Sequence, residues 1–355
     1  MSGSDVTRHG IEGARPGRDA APGVLRGGPG KRRGRRRGEQ PMVPRAEFGS
    51  YYGRPVIKAP SWAATDIAGY FFLGGLAGAG SVLAAGAHLT GRRTTATALK
   101  VSSLASVSLS AAALVHDLGR PARFAHMLRV LKPTSPMSVG SWLLSGYGPA
   151  AGAAAVSAVT GLLPRVGAAA TAGAALLGPA VASYTGVLAA DTAVPAWHGA
   201  HRELPYLFAA SGTAAASGMA LLAGPAAENA PARCAAVLAA AAEHGVTRSA
   251  EHRLGMVAET WQQGRAGTLL RCARALTTVG AAGAAVLGGR RGAAAACGLA
   301  LLAGSVCTRF GVFAAGIASA DDPVYTVGPQ REAARREAAR SDGDHHTTHP
   351  QEGSD

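Results

Sequence analysis

Apolar residues run in long blocks through the middle of the chain, while polar residues collect at its ends and in short breaks between the blocks. A helix that crosses a bilayer needs roughly 20 consecutive, mostly apolar residues. Eight stretches meet or approach that length: 62–89, 97–115, 139–163, 167–190, 204–223, 231–246, 267–287 and 293–319. The sixth is Ala-rich and short, and an interfacial or buried helix accounts for it as well as a span does. The expected fold is all-α: a membrane protein with eight transmembrane helices in two four-helix bundles. A basic disordered N-terminal tail over 1–58 precedes the transmembrane domain over 59–320, and a polar C-terminal tail follows over 321–355. Gly74, Gly75, Gly78 and Gly80 in the first segment predict close helix–helix approach, as small-x-x-x-small faces allow.

Composition agrees with this pattern. Charged residues make up 16% of the chain, against about 25% in soluble domains. They are segregated, with Lys31-Arg32-Arg33 and Arg35-Arg36-Arg37 in the N-terminal tail. A net charge of +14 raises the question of nucleic acid. The basic run answers it: it is Gly- and Pro-rich with no interleaved aromatic residues, so it offers no stacking platform. A tail lying near anionic membrane lipid is the expected role, with no nucleic-acid partner. A twin-arginine export signal does not fit, because the first apolar segment begins more than about twenty residues later and is too long.

The loops divide by charge. With the N-terminus inside, the inner loops hold Arg120, Arg123, Arg129 and Lys132, then Arg202, then Arg248, Arg253 and Arg265. The outer loops hold Arg92, Arg93, Arg165, Arg233, Arg290 and Arg291. Counting the tails as well, the bias places both termini in the cytoplasm and the protein in the cell (inner) membrane. The inner face also carries the longer connections, with His116 to Ser138, Asp191 to Glu203 and Ser319 to Tyr325 on one side. That asymmetry points to a docking surface with a site beneath it.

Ionisable groups inside spans are costly and usually paired or cavity-lining. Asp66 enters the first segment, Asp191 closes the fourth and Arg309 lies within the eighth, all toward the same face. They predict a polar pocket with Arg309 near one of the aspartates; an ion pair that merely holds helices together explains them equally well. His116 and Asp117 are the second candidate. An imidazole beside a carboxylate can pass protons near neutral pH, and an interfacial His with an Asp capping a turn is the competing explanation. His88 ends the first segment at the far face. No pair of histidines sits at matching depth in facing spans, so no haem is expected. Cys234, Cys272, Cys297 and Cys307 form no C-x-x-C pattern, so no iron–sulfur cluster and no metal site is expected in this chain.

These motifs resemble the NrfD/polysulfide-reductase membrane-subunit family. Asp117-Leu118-Gly119-Arg120-Pro121 is similar to that family's D-L-G-R-P, and Ser135-Pro136-Met137-Ser138 to its loop entering the third helix. Tyr184-Thr185-Gly186-Val187-Leu188 resembles its fourth-helix motif, and Thr308-Arg309-Phe310 through Tyr325 its final helix. Gly53-Arg54-Pro55-Val56-Ile57-Lys58 resembles the entry of a formate-dehydrogenase-associated branch. The resemblance covers roughly residues 51–330.

It implies an eight-helix, haem-free subunit of a respiratory oxidoreductase complex, not catalytic alone. Such a subunit exchanges electrons between membrane quinone (menaquinone or ubiquinone) and a ferredoxin-like iron–sulfur partner, itself joined to a molybdopterin catalytic subunit. The resemblance places the polar contacts to quinone at the start of helix one and in helix four, here Asp66 and Tyr184; Asp117 and Arg309 complete the expected quinone site, with Asp66 and His116 handling protons. Arg120, Arg123, Ser135, Ser138 and Trp197 are the candidates for docking the partner. Gly69 stands where some family members carry a histidine, which puts direct transfer of that proton ligand in doubt. The competing functions are a non-catalytic membrane anchor and a proton-translocating subunit of the same type of complex. Independent solute transport predicts an internal repeat that the sequence does not carry.

Overall fold

The computed structural model describes residues 5–7, 10–12, 62–117 and 131–332, together with positions 57, 60, 126, 128 and 129. The chain divides into two units, residues 60–319 and the two ends, 1–59 with 320–355. In the latter, β1 (Asp5–Thr7) and β2 (Gly10–Glu12) pair antiparallel with Val6 opposite Ile11, and 324–332 is helical.

Eight long helices make up the described part of the first unit. They are α1 (Ala64–Leu89), α2 (Arg93–Asp117), α3 (Pro136–Thr160), α4 (Pro164–Ala190), α5 (Leu204–Ala223), α6 (Ala230–Leu254), α7 (Gly264–Leu287) and α8 (Arg291–Asp321). Proline at the first helical turn starts α3 and α4, where a missing N–H costs nothing. The α6 helix runs eight residues past its expected end at 246. Its charged residues from Arg248 onward lie on outer faces, while Ala236, Ala239, Ala240, Glu243, Thr247, Ala250 and Leu254 continue one buried stripe at helical spacing.

Six of these helices, α1, α2, α4, α5, α7 and α8, are long and apolar enough to cross a membrane. The protein is thus a multi-pass membrane protein. The α3 and α6 helices fall outside that set. Serines, Tyr147 and Pro149 dilute α3, and the second half of α6 is polar from Glu243 onward.

Small residues bring the helices together. Gly78 of α1 meets Gly178 of α4, Gly75 meets Gly212 of α5, and Gly218 of α5 meets Gly298 of α8. The close approach expected of the first segment's glycines is thus present. A Cβ on Gly78 would stand 2.4 Å from the Gly178 carbonyl oxygen and 2.8 Å from the Ala182 nitrogen. Both are backbone atoms and cannot step aside. Gly78→Val is expected to destabilise the protein by about 1–3 kcal/mol. Gly86→Ala, in open space on the same helix, should leave it unharmed. Thermal unfolding of the two variants in detergent compares them directly.

The contacts also set direction. Phe71 packs at a tilt against Phe208 and Gly75 meets Gly212, so α1 and α5 run the same way. Gly74 lies against Thr185, and Ser211 bonds Ser305, so α4 and α8 run opposite to them. Thr308 bonds Glu243, and Gly304 faces Thr277, which makes α6 parallel to α8 and α7 parallel to α5. Asp66, His116, Asp191 and the junction of α6 with α7 therefore share one end of the bundle.

At the other end, arginines close helices. Arg291 donates to the carbonyls of Leu221, Leu222 and Gly224 at the end of α5, and Arg233 to those of Ala284 and Ala285 at the end of α7. The Glu228 carboxylate accepts from the Thr95 backbone N–H at 2.8 Å, in the first turn of α2. Burial pushes that carboxyl up, but the Thr95 hydrogen bonds and nearby Arg92 outweigh it and hold it below the usual carboxylate range.

Candidate functional site

Asp66 and His116 meet across helices. Asp66 is in the first turn of α1 and His116 in the last turn of α2. The His116 Nδ1 and the Asp66 Oδ2 are 2.8 Å apart. Helix dipoles favour this placement, since a carboxylate is stabilised at an N-terminus and an imidazolium at a C-terminus. Asp66 is largely enclosed, with its side chain 23% exposed, whereas His116 is 80% exposed. With Nδ1 turned to Asp66, Nε2 is the ring nitrogen open to the exterior. The pair thus joins an exposed imidazole to an enclosed carboxylate.

The sequence neighbours His116 and Asp117 do not pair with each other. Successive residues on a helix do not face each other, and His116 turns to α1 instead. Asp117 is half-buried at the end of α2.

Below Asp66 on α1, one turn deeper, lies Tyr70, almost fully buried. Its carbonyl accepts from Ser110 Oγ at 3.3 Å. Tyr184 of α4 is half-buried and neighbours Tyr70. Its phenol ring occupies the space a side chain would take at Gly140 of α3, 2.1 Å from a Cβ built there. The bareness of Gly140 is what admits Tyr184 to the interior. Further along, Tyr147 of α3 donates to the Ala77 carbonyl at 2.5 Å and shares a hydrogen bond with Ser81 at 2.7 Å. Asp191 ends α4 and is exposed.

Arg309 is fully buried, and its acidic neighbour is not an aspartate. It donates from Nη2 to the Phe208 carbonyl at 2.5 Å and lies over the Phe208 ring at 3.9 Å. Its guanidinium fills the space above Gly75. Gly75 is nine residues beyond Asp66, roughly 13 Å along a helix rising 1.5 Å per residue. The charge acting on Arg309 is that of Glu243 on α6, whose Oε1 accepts from Thr308 Oγ1 at 2.5 Å. Arg309 therefore belongs to a polar core among α1, α5, α6 and α8, apart from the Asp66–His116 pair.

Glu243 and Lys100 are the ionisable groups that sequence reasoning passed over. Glu243 is 4% exposed and Lys100 7% exposed. The helical stripe was the available signal. Lys100 follows Ala96 and Leu99 and precedes Ser103 and Ser110 on the buried face of α2, as Glu243 follows Ala236 and Ala239 on α6.

Of the residues expected at the docking surface, Arg120 and Arg123 lie outside the described residues, as do most of the D-L-G-R-P and Gly53–Lys58 motifs. Ser135 and Ser138 are half-buried at the start of α3, where Ser138 Oγ accepts the Lys132 backbone N–H at 3.0 Å. Trp197 is enclosed completely. It stacks on Trp62, packs at a tilt against Phe313, and its indole N–H donates to the Val312 carbonyl at 2.8 Å. A large ring with one polar atom is satisfied by such a niche, so Trp197 is a packing residue of the interior. No cluster of metal-ligating side chains occurs among the described residues.

Residues 58–233 match the family model described as Polysulphide reductase, NrfD. No curated protein matches the chain. The matched stretch contains Asp66, His116 and Tyr184 and ends before Glu243 and Arg309.

Proposed function

Because residues 58–233 place the chain in the NrfD family, we propose that it is the quinone-reactive membrane subunit of a respiratory oxidoreductase complex. In this reading the eight long helices all cross the cell membrane as two four-helix bundles, α1–α4 and α5–α8, with both termini in the cytoplasm. A partner bearing iron–sulfur clusters, itself attached to a molybdopterin subunit, docks at the end where α1 begins and supplies or takes electrons.

The observation that carries the reading is the Asp66–His116 pair, 2.8 Å long, at that end of α1 and α2. A quinone site needs an apolar slot with a few directional polar groups. The residues present fit it. Asp66 and Tyr184 supply polar groups, and buried Ile67, Tyr70 and Phe71 supply apolar surface. Quinone supplies two-electron chemistry that takes up two protons on reduction and returns them on oxidation. His116 takes a proton from the exterior at Nε2. Its Nδ1–H bond to Asp66 holds the ring in place and stabilises the imidazolium that results. Asp66 orients the relay and passes the proton inward. Tyr184, wedged against Gly140, presents its hydroxyl as a neutral donor. The Arg309–Glu243 core holds α1 against α5 and α8 behind the slot.

The test is binding by the purified full-length chain without its partners. The expected result is saturable binding of a short-chain quinone analogue that weakens in Tyr184→Phe, which removes a donor from the site. A chain that assembles with its partners but binds no quinone is a non-catalytic anchor, and that result rejects the proposal.

A further inference from the structure

A second polar feature lies away from the Asp66–His116 pair. The latter half of α6, the turn over 255–262 and the first half of α7 enclose a cleft of about 630 Å³. Arg248, His252, Gln262 and Arg274 line it, with His244 at its inner end. Arg274 is ten residues into α7, roughly 15 Å from the helix start. Charges at that depth on a lipid-facing wall are costly unless something meets them.

The cleft's own carboxylates meet them only in part. Glu251 accepts from Arg274 Nη2 at 3.0 Å, yet Arg274 Nε is buried without a hydrogen-bond partner. Glu259 stands at the rim and is engaged in a contact of its own. His244 is held by Thr278 Oγ1 at 2.9 Å and the Ala240 carbonyl at 2.7 Å. Arg248 is exposed and has no acidic partner among the described residues, and His252 follows it by one turn on the same face. The cleft thus presents one uncommitted guanidinium, one exposed imidazole and one buried, unsatisfied N–H. Toward the opposite end of the same helices the exposed side chains turn apolar: Val237 and Leu238 on α6, Val279 and Val286 on α7.

We propose that this cleft binds the phosphate of a membrane phospholipid, with Arg248 as its main donor and the acyl chains lying along Leu238 and Val279. The chemistry recognised is a phosphate anion. The apolar track below it selects a lipid headgroup over a soluble anion, because a free phosphate has no use for exposed Leu and Val. Basic pockets between spans on the cytoplasmic side suit anionic headgroups for the same reason. The proposal needs the helices to sit in a bilayer, but it does not depend on quinone chemistry.

The test uses the full-length chain in mild detergent micelles, titrated with a fluorescent phosphatidylglycerol. Wild type should bind it saturably, and Arg248→Gln should weaken binding about fivefold, the scale of one basic residue near anionic lipid. Arg248→Lys keeps the charge and should retain most of the affinity. Arg290→Gln, an exposed arginine at the other end of the molecule, should bind as wild type does. Excess inorganic phosphate should not displace the lipid. Unchanged binding in Arg248→Gln, equal losses in Arg248→Gln and Arg290→Gln, or full displacement by inorganic phosphate would each overturn the proposal.

Discussion

With Asp66 in its proposed role, Asp66→Asn in the assembled complex is expected to lower quinone-linked turnover by about a hundredfold, the lower end of what a positioned acid–base group contributes. Asn keeps the size of Asp66 and can still accept from His116 Nδ1, so the ends of α1 and α2 stay joined. What is lost is the charge that stabilises an imidazolium and, in the proposed role, the carboxylate that passes the proton on. The loss should fall on kcat, with the apparent KM for quinone little changed, because Asn keeps the shape of Asp66 and leaves the apolar residues beside it in place. Reduction of an artificial acceptor by the partner subunits, which bypasses the slot, should proceed at the wild-type rate. Tyr184→Phe removes a single neutral donor, and its expected cost is about tenfold. Quinone-linked turnover that survives both substitutions together contradicts the proposed roles.

Arg309→Met is expected to cost roughly 3 kcal/mol of stability, because it empties a fully buried site and takes away a positive charge that acts on Glu243. The side chain is fully buried between α5 and α1, and its removal also breaks the bond to the Phe208 carbonyl and the contact over the Phe208 ring. The pairing is read by a double substitution. Glu243→Gln with Arg309→Met removes both charges while keeping an acceptor for Thr308. The double variant is expected to melt closer to wild type than Arg309→Met alone, since two absent charges cost less than one left behind. Thermal unfolding of the four proteins in one detergent gives the comparison. Additive losses would show that Glu243 and Arg309 do not act on each other.

How far the sequence discloses this architecture depends on the kind of contact. Helices announce themselves locally. The fifth segment has the bounds expected, 204–223, and α1, α4 and α7 end where their apolar blocks end. Starts shift by three residues in α3 and α4 because Pro136 and Pro164 belong to the helix though not to its apolar block. The α6 helix outruns its apolar block because its buried stripe continues through Glu243 to Leu254 while its outer faces turn polar.

Pairings between helices are a different matter. Asp66 and His116 are each conspicuous, but their bond joins residues 50 positions apart, and nothing local to either residue names the other. His116 next to Asp117 and Arg309 near an aspartate were the pairings that proximity in sequence or shared depth offered. The fold instead joins His116 to Asp66 and sets Arg309 beside Glu243. Trp197 misleads for a related reason: an aromatic in a polar loop looks like a surface anchor, and only the contacts with Trp62 and Phe313 reveal its burial.

The central claim is that this chain carries electrons' passage between an iron–sulfur partner and quinone. It is tested most directly on the complete complex, isolated from membranes through this chain, with its clusters pre-reduced and mixed anaerobically with a short-chain quinone. Cluster absorbance should recover its oxidised form as quinol appears, one quinol for every two electrons lost, and should recover slowly in the Asp66→Asn complex. Clusters that stay reduced in the presence of excess quinone would contradict the account.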